Sequence, residues 1–148
     1  MRTGQFTKIV MVAMVFASIM VVYALTYPSP STYVRNVGTV KTLGVGVYWD
    51  SGCSQPVSSI NWGMVEPGAV KTVTVYIKNE GNAPITLSLR TSNWNPPKVV
   101  DYISLSWNYN SQAINANQAI KVTLSLFVLP NIQGVSVFSF DVIIVAVG

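Results

Sequence analysis

Apolar and polar side chains alternate along most of the chain beyond residue 40. In "VKTVTVYIK", Val73, Val75 and Ile77 alternate with polar or amphipathic residues, and "IKVTLSLFV" repeats the pattern over residues 120–128. A period of two is typical of a β-strand with one buried face and one solvated face. Between the alternating halves of residues 66–89, turn-forming residues occupy 79–84. This stretch therefore predicts either a β-hairpin or a corner where the chain passes between two sheets.

The same rhythm predicts the other strands. "SSINWGMV" indicates a short edge strand. Further rows of inward-facing residues are predicted at Leu43, Val45, Val47 and Trp49, at Ile103, Leu105 and Trp107, and at Phe138, Phe140, Val142, Ile144 and Ala146. Beyond residue 30 no segment shows a helical period over three turns. We therefore predict an all-β fold, an antiparallel immunoglobulin-like sandwich of seven to eight strands over residues 41–148.

The first thirty residues follow a different pattern. Residues 1–8 carry Arg2 and Lys8, and residues 9–27 contain no charge. A helix of that length spans roughly 28 Å, close to the ~30 Å hydrocarbon thickness of a bilayer. Pro28 and Pro30 cannot continue a helix and open a linker predicted over residues 28–40, which leads into the first strand. We expect residues 9–27 to form a transmembrane, signal-anchor helix.

A cleaved secretory signal is the alternative interpretation of this segment. The basic start, the apolar stretch and the small residues Val22 and Ala24 also suit a signal-peptidase site near residue 24. Arg2, Lys8 and the amino terminus favour the cytoplasmic side for the start of the chain. Either way, the sandwich is expected on the extracytoplasmic side, anchored to the membrane or secreted.

Charge and composition narrow the classes of function. The 148 residues carry a formal charge of +4, which falls to +2 once Arg2 and Lys8 are set aside, and only 9% of residues are charged. So few and scattered cations argue against nucleic acid as a partner. The chain has no histidine, and its five carboxylates show no pairing or metal-ligand spacing in the sequence. We therefore expect no catalytic residues, no metal site and no cofactor.

A resemblance supports the fold. "INWGMVEPGAVKTVTVYIKNEGNAPITLSL", "ISLSW" and the final "FSFDVIIV" resemble the immunoglobulin-like sandwich domains of extracellular and archaeal membrane-anchored surface proteins. The resemblance covers roughly residues 43–147. It implies a surface location, and it implies no activity, because such domains serve as spacers, adhesins and filament subunits alike.

Three features are candidates for contact with a partner. Trp94, flanked by Asn93 and Asn95 in the polar "SNWNPP" loop, suits stacking on a sugar ring, although the indole also suits packing over the end of the sandwich. In the last strand Ile143, Val145 and Val147 add a second apolar face, typical of a strand buried between neighbours or one that pairs with another molecule. Cys53 is the single cysteine, so its thiol is either a free small side chain or a link between copies.

These features predict a non-enzymatic, single-pass cell-surface protein with a structural or interaction role. Its expected partners are the lipid bilayer and, among surface molecules, other proteins, copies of itself or glycans. A pilin-like or thread-like filament subunit is the first alternative, since an apolar helix before a sandwich also resembles archaeal pilins and archaellins. A secreted carbohydrate-binding module that uses Trp94 is the second.

Overall fold

The computed structural model describes residues 34–148, apart from the side chains of residues 34, 35, 41 and 43. Eight strands and one short 3-10 helix, Pro97–Asp101, make up this part of the chain. In chain order the strands are β1 Val34–Leu43, β2 Val45–Tyr48, β3 Ser59–Val65, β4 Val70–Asn79, β5 Thr86–Asn95, β6 Ile103–Trp107, β7 Ala119–Val128 and β8 Val137–Val147. The predicted all-β class is confirmed for these residues. β1 begins within the stretch that sequence reasoning assigned to the linker.

The strands form two four-stranded sheets with the orders β3-β1-β8-β5 and β2-β4-β7-β6. β4 lies in the second sheet and β5 in the first, so the turn after Asn79 is a corner between sheets and not a hairpin. Asn79 shapes the corner, because its amide Nδ2 donates to the carbonyls of Ala83 at 2.8 Å and Ile114 at 2.9 Å. Its Oδ1 accepts from the Gly81 N–H at 2.9 Å. The predicted edge position of β3 is confirmed.

One strand pairing departs from the prediction of a wholly antiparallel sandwich. β1 and β8 run parallel, from Arg35 opposite Val137 to Leu43 opposite Val145. The other side of β8 pairs antiparallel with β5, from Thr86 opposite Val147 to Asn95 opposite Ser139. β8 is therefore an interior strand, with one face toward the core and with Ile143 and Val145 half-buried on the other.

The core lies between the sheets and follows the predicted inward rows closely. Phe138, Phe140, Val142 and Ile144 of β8 are all buried, and Val122, Leu124, Leu126 and Val128 face them from β7. Burying one such side chain contributes roughly 1.5–3 kcal/mol. Trp49 is a correction to the predicted rows, since 40% of it is exposed. β2 ends at Tyr48, so the alternation no longer holds at the next residue.

Within residues 34–148, no helix is both long and apolar enough to cross a bilayer. The predicted basic start at 1–8 and transmembrane or signal helix at 9–27 lie outside the described residues.

Candidate functional site

Trp94 lies within β5 and not in a loop as the sequence suggested. Its ring stacks on Phe140, with ring centroids 4.1 Å apart and an interplanar angle of 11°. Phe138 is 6.5 Å away and continues the aromatic cluster. The indole Nε1–H donates to Thr91 Oγ1 at 3.3 Å. One ring face and the polar edge of Trp94 are therefore engaged within the chain, which is the packing alternative stated above.

The two asparagines that flank Trp94 differ in their roles. Asn93 has a left-handed backbone, with φ at 53°, and its Nδ2 donates to Asp141 Oδ2 at 2.6 Å. Asn95 is exposed, and its backbone pairs with Ser139 of β8. Asp141 is buried, so the bond from Asn93 helps to keep a carboxylate stable inside the sheet. Sugar stacking at Trp94 stays a prediction, and both flanking asparagines are exposed.

The strand-pairing candidates lie where β8 is already paired. Ile143 and Val145 are half-buried and hydrogen-bonded strands flank them on both sides. Val147 is 47% exposed and pairs with Thr86, beyond the last residue of β1 that pairs with β8. Pairing of another molecule with β8 at Ile143 and Val145 therefore requires β1 or β5 to leave its place first.

Cys53 lies in the loop between β2 and β3, which one carboxylate organises. Asp50 accepts hydrogen bonds from the backbone N–H of Gln55 at 2.7 Å and of Ser54 at 3.0 Å, and from the Ser54 hydroxyl. The bond from Gln55 contributes most to lowering the pKa of Asp50 below its ordinary 3.8. The half-buried Cys53 thiol approaches the Ser51 carbonyl at 3.9 Å and is free.

A second polar contact joins β2 to the corner after β4. The Tyr48 hydroxyl donates to the Glu80 carboxylate, which raises the pKa of Tyr48 because the anionic acceptor stabilises the protonated phenol. Gly46 lies beneath this pair, and a Cβ at that position would come within 2.6 Å of the Tyr48 hydroxyl and of Glu80 Oε1. The contact fixes one end of the edge strand β2.

The first strand carries a feature that sequence reasoning missed. Exposed Val37, Met64 and Val137 come together on the outer face of β1, β3 and β8 and line a surface pocket of about 360 Å³. On the inner face, the amide of Asn36 is buried, and neither its nitrogen nor its oxygen has a hydrogen-bond partner among the described residues. Asn36 could not be predicted to be buried, because residues 28–40 show no alternation and therefore predict a linker.

Metal-binding chemistry has no evident location in this part of the chain. Among residues 34–148, no group of three or more His, Cys, Asp or Glu side chains lies close enough to hold a metal ion. The Asp50 oxygens are already used by the backbone of their own loop.

Comparison with known proteins adds little to this description. No protein family matches the sequence, and no curated protein does. Among solved structures, the chain is similar to the ASH / PapD-like domain of human CEP192 (PapD-like domain 7). That similarity has a TM-score of 0.37 and 10% sequence identity, and it covers 82% of this chain and 89% of that one. At this level it carries no argument, so the sandwich architecture rests on the strand pairing described above.

Proposed function

We propose that this chain is a non-enzymatic cell-surface protein in which residues 9–27 anchor an immunoglobulin-like sandwich on the extracytoplasmic side of the membrane. The observation that carries the proposal is the small number of residues between the predicted anchor and the first strand of the domain. The uncharged run ends at Tyr27, Pro28 and Pro30 follow, and β1 already begins at Val34. A sandwich tied so closely to a membrane segment has a structural or interaction role at the bilayer surface.

The surface chemistry of the domain supports this role. Outward-facing positions of the long strands carry Ser and Thr, as at Thr72, Thr74 and Ser125, beside a few charges such as Lys78 and Lys121. Such a surface presents hydrogen-bonding groups and little net charge, which suits contact with neighbouring proteins or glycans better than binding of polyanions. The bilayer is the first partner, and copies of the same chain are the second.

The single cysteine allows a direct test of orientation. On intact cells, a membrane-impermeant maleimide is expected to label Cys53, because the sandwich faces outward. A matched variant, Cys53→Ser with Thr7→Cys, places the only thiol in the predicted cytoplasmic start and is expected to react only after permeabilisation. Labelling of Cys53 only in permeabilised cells would overturn the proposal.

Intact mass decides between a retained anchor and its alternatives. A mass consistent with the full 148 residues, apart from removal of Met1, agrees with a retained anchor. Loss of about 24 residues would identify a cleaved secretory signal, and loss of the first four would favour a processed, pilin-like filament subunit.

A further inference from the structure

β1 fills a groove that the rest of the domain cannot close. It lies between β3 and β8 and pairs with both, from Val34 opposite Val65 on one side to Leu43 opposite Val145 on the other. Without β1, two neighbouring strands would present unpaired backbone edges, and the core aromatics Trp62, Phe138 and Phe140 would lose their cover. A strand must therefore occupy this groove, and nothing in its backbone pairing requires that the strand come from the same chain.

A single residue joins β1 to the remainder of the domain. β1 ends at Leu43 in one sheet, and β2 begins at Val45 in the other. Gly44 makes the change of sheet with φ at 79°, and a Cβ on it would lie 3.0 Å from Cβ of Ala146. Short, constrained hinges of this kind favour exchange, because straightening the hinge relieves the bend. A straightened Gly44 would turn β1 and β2 into one continuous strand that reaches a second copy.

β1 also fits its groove less well than the other core strands fit theirs. Its inward positions include Asn36, whose buried amide has no described partner, and Gly38, which leaves room beside the unpaired Nε1–H of Trp62. Its pairing with β8 is parallel, which is slightly less stable per residue than antiparallel pairing. The same contacts form within one chain or between two, so the poor fit lowers the cost of releasing β1 without favouring either state.

From these observations we propose that β1 is exchanged between copies of this chain, the first strand of one molecule completing the sheet of the next. The proposal rests on the proposed surface anchoring, because copies held in one membrane meet at high local concentration. Exchange in both directions gives a closed dimer, and one-way exchange gives a chain of domains. It identifies the self-association partner as a second copy, with β8 and β3 as the acceptor edges.

The register offers a cross-linking position across the β1–β3 interface. Thr39 lies opposite Ser59, and both side chains are exposed. Because the Val40 N–H donates to the Ser58 carbonyl at 2.9 Å, the adjacent Thr39–Ser59 pair is a non-hydrogen-bonded one, whose side chains approach closely. Cysteines at these two positions are therefore expected to form a disulfide whenever β1 and β3 pair.

The test combines two differently tagged full-length chains in one membrane. Both carry Cys53→Ser; one carries Thr39→Cys and the other Ser59→Cys. After mild oxidation of the membranes, exchange is expected to give a disulfide-linked dimer that carries both tags. The matched control uses Thr74→Cys and Thr123→Cys, which face each other across β4 and β7 within one domain. That pair is expected to give no mixed dimer, because no exchange of β4 or β7 is proposed.

A chain that carries both Thr39→Cys and Ser59→Cys completes the test. If it forms its disulfide only within one molecule, and if the two tagged chains give no more mixed dimer than the control pair, the proposal is overturned. Mixed dimers from the tagged chains, or dimers and longer ladders from the double variant, support it. Labelling of Cys53 on intact cells reports the orientation of the domain independently, so failure of strand exchange and failure of surface anchoring give different results.

The variant Gly44→Ala tests whether Gly44 is the hinge for exchange of β1 or only allows the turn between β1 and β2. Alanine disfavours the left-handed backbone by about 1 kcal/mol or more, which corresponds to roughly a fivefold change in an equilibrium. In the straightened, exchanged state this strain is absent, so the fraction of mixed dimer is expected to rise about fivefold. A folded Gly44→Ala chain with an unchanged or smaller dimer fraction would contradict the hinge.

Discussion

Asn79 and Asn36 are both buried, but their amides have opposite effects on the stability of the fold because only one of them is hydrogen-bonded. Asn79 is fully buried, and its amide makes three hydrogen bonds at the corner between the sheets. Asn36 is 3% exposed, and both of its polar atoms lack partners among the described residues. A hydrogen-bonded amide stabilises the fold, whereas an unpaired amide in the same dry environment opposes it.

Leucine, which matches asparagine in shape, should therefore have opposite effects at these positions. Asn36→Leu is expected to raise the free energy of unfolding by about 1–3 kcal/mol, because it removes an unpaired buried amide. Asn79→Leu is expected to lower it by about 2 kcal/mol, because the Ala83 carbonyl and the Gly81 N–H lose their bonds to the amide. The Ile114 carbonyl loses one of its two bonds and keeps the one from the Ile85 N–H. Denaturant titration of the two full-length variants checks the signs, and a loss of stability in Asn36→Leu would contradict the assignment.

Asp50 gives the fold a pH dependence whose sign follows from its pKa. The bonds from Gln55 and Ser54 favour the carboxylate, so the pKa of Asp50 in the folded chain lies below its ordinary 3.8. Its contribution to stability is therefore complete above the unfolded value and is lost as pH falls through the folded pKa.

The difference in melting temperature between the wild type and Asp50→Ala should reflect this. It is expected to stay constant from neutral pH down to about 4 and then to shrink as pH falls further. Asp101→Ala, at an exposed carboxylate on the end of the 3-10 helix, controls for a general effect of net charge. A difference that grows toward low pH would contradict the sign.

At the scale of the element, the structure differs from the sequence prediction for both β1 and β8. β8 was the candidate for pairing with other molecules, because both of its faces are apolar. In the folded chain β8 has a neighbour on each side, and β1, predicted to lie largely within a linker, provides one of them. Over Ile143 and Val145, an edge of β8 becomes available only where β1 or β5 leaves it.

Hydrogen exchange tests whether β1 opens independently of the other strands. Although β1 is an interior strand, its amides are expected to exchange at least about tenfold faster than those of β4 and β7, because opening at Gly44 releases β1 alone. Full-length protein in detergent micelles, digested after exchange, gives this comparison by mass spectrometry. Equal protection of β1 and β4 would indicate that the domain opens only as a whole.

At the scale of the molecule, the domain brings its first and last strands together. The parallel β1–β8 pair joins residues about a hundred positions apart in the sequence, such as Arg35 and Val137. Such long-range pairing forms only after much of the chain has been ordered. A neighbouring copy therefore has an opportunity to supply β1 while a newly made domain is still incomplete.

The sequence by itself determined the all-β class and most of the inward-facing rows, because alternation with period two depends only on which face of each strand meets the core. It located the turn after Asn79 but left a hairpin and a corner open, since both need the same turn residues. The packing of Trp49 and Trp94 could not be predicted from the alternation. An aromatic ring near the end of a strand packs against residues that are distant in the sequence.

Only the tertiary structure decided which strands are neighbours. The parallel place of β1, the interior position of β8 and the unpaired amide of Asn36 all depend on contacts between distant parts of the chain. The alternation of side chains fixes a strand's two faces, but its two edges are backbone, and the backbone is nearly the same for every sequence.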